Sequence, residues 1–547
     1  MSNKAHRFSN KDRSARLKTA QANNYDVIVI GGGITGAGVA MDAALRGLKV
    51  LLIEKYDFAS GTSSKSTKLI HGGLRYLKQL EFGLVRETGL ERAVAHNNIP
   101  HLVHPRNMLL PIVEEGTFSS FTASLAISVY DRLAGVKKVD RKRCLSEEEV
   151  INSEPLLKKD ILKSAILYSE YRTDDARLTV EIIKAAIRNG AEAFNYLEVN
   201  DFIYKSNKLS GVICTDNLNG ETLNFKAKTI VNAAGPWVDN LRTIDNVDTE
   251  TNLQLSKGVH IVIAKEKLNI KNAVYFDAFD GRMIFAIPRG KSVYIGTTDT
   301  FYHDDPDKLS CTQEDAEYLL EAIQKMFSIP PLSIQDVKST WTGLRPLIRK
   351  KGKGPTELSR RDEIFTSDSG LLTIAGGKLT GFRKMAERVI DLVYKSQSRK
   401  TIECTTKNYK IHHNPFTDYE AYEALVQELV NQYPHIKPVD IEYMTSAYGK
   451  DVLQIIADSD GSESDLIRKQ IAYTIDYEAA SLPIDFIERR TGWLYFDIDL
   501  VEKYLDDIIQ EFATAFSHDQ QWAAEQKTIC NEIIAVNTLK KIKEGMV

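Results

Sequence analysis

Two apolar, β-branched runs stand out first. Tyr25-Asp26-Val27-Ile28-Val29-Ile30 and Val50-Leu51-Leu52-Ile53 are nearly continuous, which predicts strands buried on both faces of a parallel sheet. Between them Ala37, Gly38, Ala40, Ala43 and Ala44 predict a thin helix, with Gly47 as its cap. Farther on, helical spacing of Leu178, Ile182, Ala185 and Ala186 predicts a helix over residues 174–189. Strands are expected over 191–204 and 208–214, and at Thr229-Ile230-Val231-Asn232. The last of these ends in Ala233-Ala234-Gly235-Pro236-Trp237, small residues that permit close backbone approach. Short alternating runs over 253–300 predict an antiparallel sheet. Another strand at 371–375 leads through Gly376-Gly377 into a helix from Thr380 to about Tyr394. Segments 100–111 and 119–133 are mixed, the second with helical spacing at Phe121, Leu125, Val129 and Leu133. Residues 418–547 are mostly amphipathic helix, which predicts a separate helical domain with its boundary near 396–410.

The turn between the first strand and the first helix carries chemistry. Gly31, Gly33 and Gly36 stand in the order G-x-G-x-x-G. The first two let the backbone turn tightly and approach a pyrophosphate, and the third lets the helix pack on the strand. The helix N-terminus then offers unpaired N–H groups and a positive dipole end to a diphosphate. Glu54 ends the second strand, where an acid takes a pair of ribose hydroxyls. A glycine-rich turn without a ligand has no use for Glu54.

Composition narrows the class. At 547 residues the chain holds two or three domains, and with 43% hydrophobic and 27% charged residues it reads as globular. A net charge of −3 gives no general attraction to nucleic acid. Five scattered cysteines form no C-x-x-C, so no zinc knuckle, redox pair or disulfide framework is expected, and a reduced cytoplasmic setting fits. No apolar run approaches the ~18 residues of a spanning helix, and the polar start lacks a signal-peptide core. Residues 1–24 carry Lys4, Arg7, Lys11, Arg13, Arg16 and Lys18 against Asp12 alone. They read as a solvated basic extension, with contact to anionic lipid as the sharper reading. His101 and His104 are three apart, but Pro100 and Pro105 argue against one helix face and no third ligand is near, so no metal is expected. Residues 61–76 mix hydroxyls, Lys65, Lys68 and His71 with glycines, which suits a loop lining an anionic ligand.

Together these strings resemble the FAD-dependent glycerol-3-phosphate dehydrogenases. The resemblance runs through the glycine turn and the string from Thr62-Ser63-Ser64 to Lys68-Leu69-Ile70-His71-Gly72-Gly73-Leu74-Arg75-Tyr76. It continues through Asp174-Asp175-Ala176-Arg177-Leu178, Gly235-Pro236-Trp237, Gly296-Thr297-Thr298-Asp299, Gly343-Leu344-Arg345-Pro346-Leu347 and Gly376-Gly377-Lys378-Leu379-Thr380. Tyr477-Glu478-Ala479-Ala480 and Asp485-Phe486-Ile487-Glu488-Arg489-Arg490-Thr491 look like the family's helical C-terminal domain. The fold class implied is α/β with α+β: a Rossmann-like FAD-binding domain of the glutathione-reductase/D-amino-acid-oxidase type, an antiparallel-sheet substrate domain and a helical C-terminal domain. FAD-binding segments are expected near 25–80, 160–240 and 340–395, substrate-binding segments near 81–159 and 241–339, and the helical domain over 396–547.

The resemblance implies oxidation of sn-glycerol 3-phosphate to dihydroxyacetone phosphate, with electrons passed from FAD to a membrane quinone. It implies a peripheral, cytoplasm-facing membrane enzyme, which gives the basic N-terminus a use as a lipid contact; a homodimer contact is one use for the helical domain. The alternative is the glycerol-3-phosphate oxidase, which passes electrons to oxygen. Its long insertion after Arg-Pro-Leu is missing here, where only 348–358 separates Leu347 from Ser359. A carboxylate-clamping amino-acid oxidase and a partner-binding flavoprotein without turnover complete the alternatives. By resemblance Arg345 and Arg361 clamp the phosphate, with Arg75 and Lys378 close by and Arg360 ranked lower; Arg forks suit such anions. His260 is the expected base, with a satisfied core histidine as the competing reading. Cofactor contacts are expected from Gly31, Gly32, Gly33, Ile34, Thr35, Gly36, Glu54, Lys55, Thr62, Ser63, Ser64, Leu69, His71, Gly72, Gly73, Val199, Gly235, Gly377, Lys378, Leu379 and Thr380.

Overall fold

A computed structural model describes residues 6–71, 82–114, 116, 142–246, 251–350 and 362–546. Its first sheet sets strands Leu372–Ala375, Thr222–Asn232, Asn24–Ile30, Val50–Ile53 and Glu192–Phe194 side by side and parallel. Glu363–Thr366 runs antiparallel at one edge. Alternate residues of the first strand serve opposite faces. Val27 and Val29 join a core with helices Ile34–Leu45, Asp175–Arg188 and Phe382–Ser396; Ile28 and Ile30 join another with Leu17, Ala20 and Phe202. Apolar cover on both faces is what a near-continuous β-branched run requires.

The strand expected over 191–204 is interrupted. Tyr196 takes φ +55 and its N–H bonds Tyr56 O, so Glu192–Phe194 and Leu197–Lys205 are separate strands. Alternation in sequence does not register such a corner, because Tyr196 is as β-prone as its neighbours.

Among the described residues the second sheet is antiparallel apart from one parallel pairing, between Ala273–Asp277 and Val103–Val113. The expected short strands include one of 14 residues, Thr251–Ala264, which pairs along its length with Val337–Lys350. Its register sets His260 opposite Trp341 and Ser256 opposite Arg345. The segment read as mixed over 100–111 is an interior strand, Val103–Val113, between Ala273–Asp277 and Leu162–Thr173. The helical spacing over 119–133 falls outside the described residues.

The basic N-terminal segment is not a free extension. Phe8 exchanges backbone bonds with Asp476 and Ala479, and Phe8, Leu17 and Ala20 are buried. Arg13 pairs with the buried carboxylate of Asp216 through Nε and Nη2, both at 3.0 Å. Arg16 donates to the carbonyls of Ser9 and Ala193, and Lys11 pairs with Asp476 at 3.1 Å. Counting charges missed the buried stripe, Leu17 and Ala20 with the paired Arg13, that seats the helix Arg13–Ala22 on the sheet. Lys11, Arg13 and Arg16 thus hold other parts of the chain.

The C-terminal helices, among them Glu463–Tyr477, Ile498–Phe516 and Gln520–Asn537, share a core with the second sheet. Phe486, Trp493, Tyr495 and Val501 pack in one cluster with Tyr294 and Trp341. Among the described residues no helix is long and apolar enough to cross a membrane.

His101 and His104 separate in space. His101 lies edge-on to His412 at 5.4 Å, and His104 stacks on Tyr419 at 5.8 Å. Burial lowers His101 to about 3 and His413 to about 4, and pushes His104 well below the ordinary value of 6.5. These groups are neutral when folded and charged when unfolded below pH 6.5, so the unfolded chain binds more protons there. Stability is then present above about pH 6.5 and lost as pH falls toward 4, by up to about 1.4 kcal/mol per pH unit for each histidine. The urea midpoint is expected to drop between pH 7 and 5, and His101→Asn to flatten that slope. A midpoint independent of pH over this range would contradict the assignment.

Candidate active site

The glycine turn is built by collision. Gly31 has φ +110, and a Cβ there would lie 2.5 Å from Ala233 O. A Cβ on Gly36 would lie 1.9 Å from Gly31 O, so the helix Ile34–Leu45 rests directly on the turn. The helix has Gly33 as N-cap, with no capping side chain. Its first turn therefore presents N–H groups that no intrahelical carbonyl takes; Ser63 Oγ accepts from the N–H of Ile34 at 2.9 Å. Glu54 is fixed beside this turn, its carboxylate accepting from Gly32 N at 2.6 Å and Tyr56 N at 2.9 Å. Burial raises the Glu54 carboxyl against the pull of those two bonds.

A cavity of about 540 Å³ opens over this turn and runs to the second sheet. Of the residues expected at the cofactor, Gly31, Gly33, Ile34, Thr35, Glu54, Lys55, Thr62, Ser63, Leu69, His71, Val199, Gly235, Gly377, Lys378, Leu379 and Thr380 line it. Three do not. Gly32 supports Glu54 from behind, Gly36 is buried under the turn, and Ser64 is 1% exposed with its carbonyl taken by Lys68. Gly72 and Gly73 lie outside the described residues, as do Arg75, Arg360 and Arg361.

The far end of the cavity is lined by His260, Arg345 and Lys378. Arg345 crosses the facing strand at Gly258, where a Cβ would come within 2.4 Å of its guanidinium. It donates to Thr297 Oγ1 at 2.8 Å and Thr298 O at 3.2 Å, and lies 3.5 Å from Asp299. His260 stacks on Trp341 with ring centroids 4.6 Å apart. Its Nε2 sits 3.0 Å from Thr67 Oγ1, and among the described residues its Nδ1 meets no hydrogen-bond partner. Burial first, then the charges of Arg345 and Lys68, hold His260 well below the ordinary imidazole value. It is neutral at physiological pH.

The 61–71 loop is less free than its glycines and hydroxyls imply. Thr62 Oγ1 donates to Leu344 O, Trp341 Nε1 to Ser66 O, Tyr294 OH to Thr67 O, and Thr380 Oγ1 to His71 O. Lys68, read from sequence as a cation for a ligand, is buried on Asp175 at 2.6 Å. Lys65 does line the cavity, as do Thr67 from the same loop and Trp237 from the turn after the strand ending at Asn232; Asn200, on the strand Leu197–Lys205, is the lining residue that no local pattern marked.

One further cluster also escaped the sequence. The ligand-type atoms of His412, His413 and Asp451 lie within 4.8 Å of one another. Asp451 accepts from Tyr473 OH at 2.5 Å and has the Lys184 ammonium 3.8 Å away. A cationic neighbour and a satisfied carboxylate make this a hydrogen-bonded network.

Comparison with known proteins agrees with this geometry. The model of the FAD dependent oxidoreductase family matches residues 26–383, and that of the C-terminal domain of alpha-glycerophosphate oxidase matches 404–523. The chain is 46% identical to an aerobic glycerol-3-phosphate dehydrogenase of Staphylococcus haemolyticus, over 97% of this chain and 99% of that one. It is 45% identical to that of Bacillus subtilis, over 94% and 96%. The crystal structure of the glycerol-3-phosphate dehydrogenase from Bacillus halodurans complexed with FAD superposes with a TM-score of 0.83 at 38% identity, covering 97% of this chain and 98% of that one. L-alpha-Glycerophosphate Oxidase from Mycoplasma pneumoniae shares the fold at a TM-score of 0.55 and 20% identity, over 71% of this chain and 98% of that one. With 46% identity over 97% of its length and a family model matching residues 26–383, the chain belongs to the family of FAD-dependent glycerol-3-phosphate dehydrogenases.

Proposed function

We propose that this chain oxidises the secondary hydroxyl of sn-glycerol 3-phosphate to give dihydroxyacetone phosphate, with FAD held at the Gly31–Gly36 turn and a membrane quinone as final acceptor. One observation carries the reading: a single cavity joins the glycine turn at one end to Arg345, Lys378 and a neutral His260 at the other. The residues present fit FAD. The turn is open only because Gly31 has no Cβ to collide with Ala233 O, the helix N-terminus suits a diphosphate, and Glu54 is fixed at the strand end beside it. Bound FAD supplies the two-electron acceptor.

The remaining work falls to side chains. Arg345 offers a planar fork to the phosphate dianion, and Lys378 adds charge at the start of the turn leading into helix Phe382–Ser396. By resemblance Arg75 and Arg361 join this clamp. His260 takes the hydroxyl proton. The Arg345 cation that depresses its basicity is offset once a dianion binds, so His260 is a stronger base in the complex than in the free protein. His260→Gln is expected to slow anaerobic bleaching of the flavin by substrate by about 10²- to 10⁴-fold. FAD content should be unchanged. Unaltered bleaching would return His260 to the role of a core residue stacked on Trp341.

The test of the function is anaerobic addition of sn-glycerol 3-phosphate to the yellow protein. Rapid bleaching by this substrate and not by glycerol supports the reading; bleaching by neither overturns it. Adding a quinone analogue or air to the bleached sample then names the acceptor. The oxygen-using alternative keeps one observation in its favour, the match of 404–523 to the C-terminal domain of an oxidase. Stoichiometric hydrogen peroxide would decide for it. With a quinone as acceptor the chain works as a peripheral protein on the cytoplasmic face of the membrane.

A further inference from the structure

We propose that the π-helical turn Asp485–Arg490 of the C-terminal region is a positioning element for FAD, gripping the cavity loop between Glu54 and Lys65 at both ends. The inference rests on the placement of FAD in the cavity proposed above. None of Asp485, Glu488, Arg489 and Arg490 lines that cavity. They act through residues that do.

Asp57 is the first point of attachment. It is fully buried and follows Glu54 by three residues. Its carboxylate accepts from Arg489 Nε at 2.7 Å, from Arg490 Nη1 at 2.7 Å and Nη2 at 3.0 Å, and from Asn195 Nδ2 at 2.9 Å. Its carbonyl accepts from Ser60 N, and Ser60 lines the cavity. Lys65 is the second point. It lines the cavity from the other end of the loop, with its ammonium 3.6 Å from Glu488. A third contact runs through Tyr196, whose hydroxyl donates to Asp485. The Tyr196 N–H donates to Tyr56 O at 2.7 Å, and the next residue, Leu197, donates to Glu54 O at 2.8 Å.

The π-helical winding explains why one turn does all this. Thr491 N bonds Phe486 O, five residues back, so the turn is wide. Asp485, Glu488, Arg489 and Arg490 are all buried, and all are paired across the joint with the sheet domain or with each other. A buried charge without its partner is costly, so an intact set of pairs admits one arrangement of the loop. The two Arg groups accordingly hold Asp57 well below the usual carboxylate range.

The readout is the FAD dissociation constant, taken from the fluorescence of free FAD as the holoprotein is diluted at a temperature well below unfolding. If the loop spends about one-tenth of its time in the cavity-forming arrangement, that constant rises about tenfold. This is the result expected for Arg489→Lys, which loses the fork, and for Glu488→Gln, which loses the attraction for Lys65. Arg46→Lys disrupts a comparably buried pair with Asp42 at the far end of the glycine helix. It is expected to lower Tm without changing FAD release. Thr35→Asp, which sets a negative charge on the cavity wall, reports on the cavity itself. If Thr35→Asp weakens FAD retention while Glu488→Gln and Arg489→Lys do not, the positioning role fails and the cavity reading stands. Equal weakening by Arg46→Lys also overturns the role, because the effect is then stability alone. Unchanged retention in Thr35→Asp overturns the cavity reading and the role with it. If Arg489→Lys does not fold, Glu488→Gln decides.

Discussion

Replacing Arg345 by alanine is expected to lower kcat/KM for sn-glycerol 3-phosphate by about 30- to 4,000-fold, equivalent to roughly 2–5 kcal/mol of lost charge-assisted binding. The guanidinium is held in place from several sides. Thr297 Oγ1 and Thr298 O accept from it, Asp299 lies alongside, and the absent Cβ of Gly258 leaves room for its passage across the strand. A group fixed this way loses little entropy on meeting a dianion, which is why Arg is favoured over Lys at such a position. Arg345→Lys should therefore recover only part of the loss. The decisive comparison is glycerol, which lacks the phosphate. If Arg345 clamps phosphate, the residual activity toward glycerol at high concentration is not lowered by Arg345→Ala. An equal loss with both substrates would mean that the variant has disturbed the sheet, and the clamp assignment would fall.

Gly36→Ala is expected to yield protein without FAD. The added Cβ would sit 1.9 Å from Gly31 O, and the atom it meets is backbone in the turn itself. Overpacking of this kind costs typically 1–3 kcal/mol where side chains can shift, and more where only backbone can move. Relief requires the helix Ile34–Leu45 to lift from the turn, which dismantles the cradle and turns the helix N-terminus away from a diphosphate. Gly190→Ala separates this effect from backbone strain. Gly190 has φ +95 with nothing within 4 Å of its Cβ position. It should lose about 1–2 kcal/mol of stability from the left-handed conformation alone and keep its yellow colour. Visible absorbance near 450 nm in purified Gly36→Ala, at the intensity of the parent protein, would refute the argument.

The electrostatics of the two ends of the cavity differ for a physical reason. At the glycine turn the binding groups are backbone N–H donors and one fixed acid, which carry no counter-ion and need no pairing. At the second sheet the binding group is a full charge, Arg345, steered by Thr297, Thr298 and Asp299. His260 lies between, stripped of water and held neutral by burial and by Arg345. A site arranged like this is poor at protonating itself and ready to accept a proton once an anion has entered.

The glycine cradle was legible in the primary structure because its sequence signature is local. Val27 to Ile30, Gly31, Gly36 and Glu54 lie within thirty residues, and the contacts of Gly36 with Gly31 O and of Glu54 with Gly32 N fall inside that strand–turn–helix unit. Parallel strands buried on both faces announce themselves through continuous β-branched runs, and thin helices through alanine and glycine. Chain periodicity likewise located the helix Asp175–Arg188 and the helical C-terminal third. What only the tertiary structure decided is where charge ends up. Arg13, Lys68, Arg489 and Arg490 are cations in sequence, with nothing local to mark them as structural. Each is buried on a carboxylate brought from elsewhere in the chain: Asp216, Asp175 and Asp57. Arg345, of the same chemical type, faces the cavity because Gly258, two residues from its cross-strand partner Ser256, has no Cβ to block the guanidinium. Burial of a charge depends on a partner hundreds of residues away, and that pairing is a property of the assembled sheets and helices, absent from any window of the sequence.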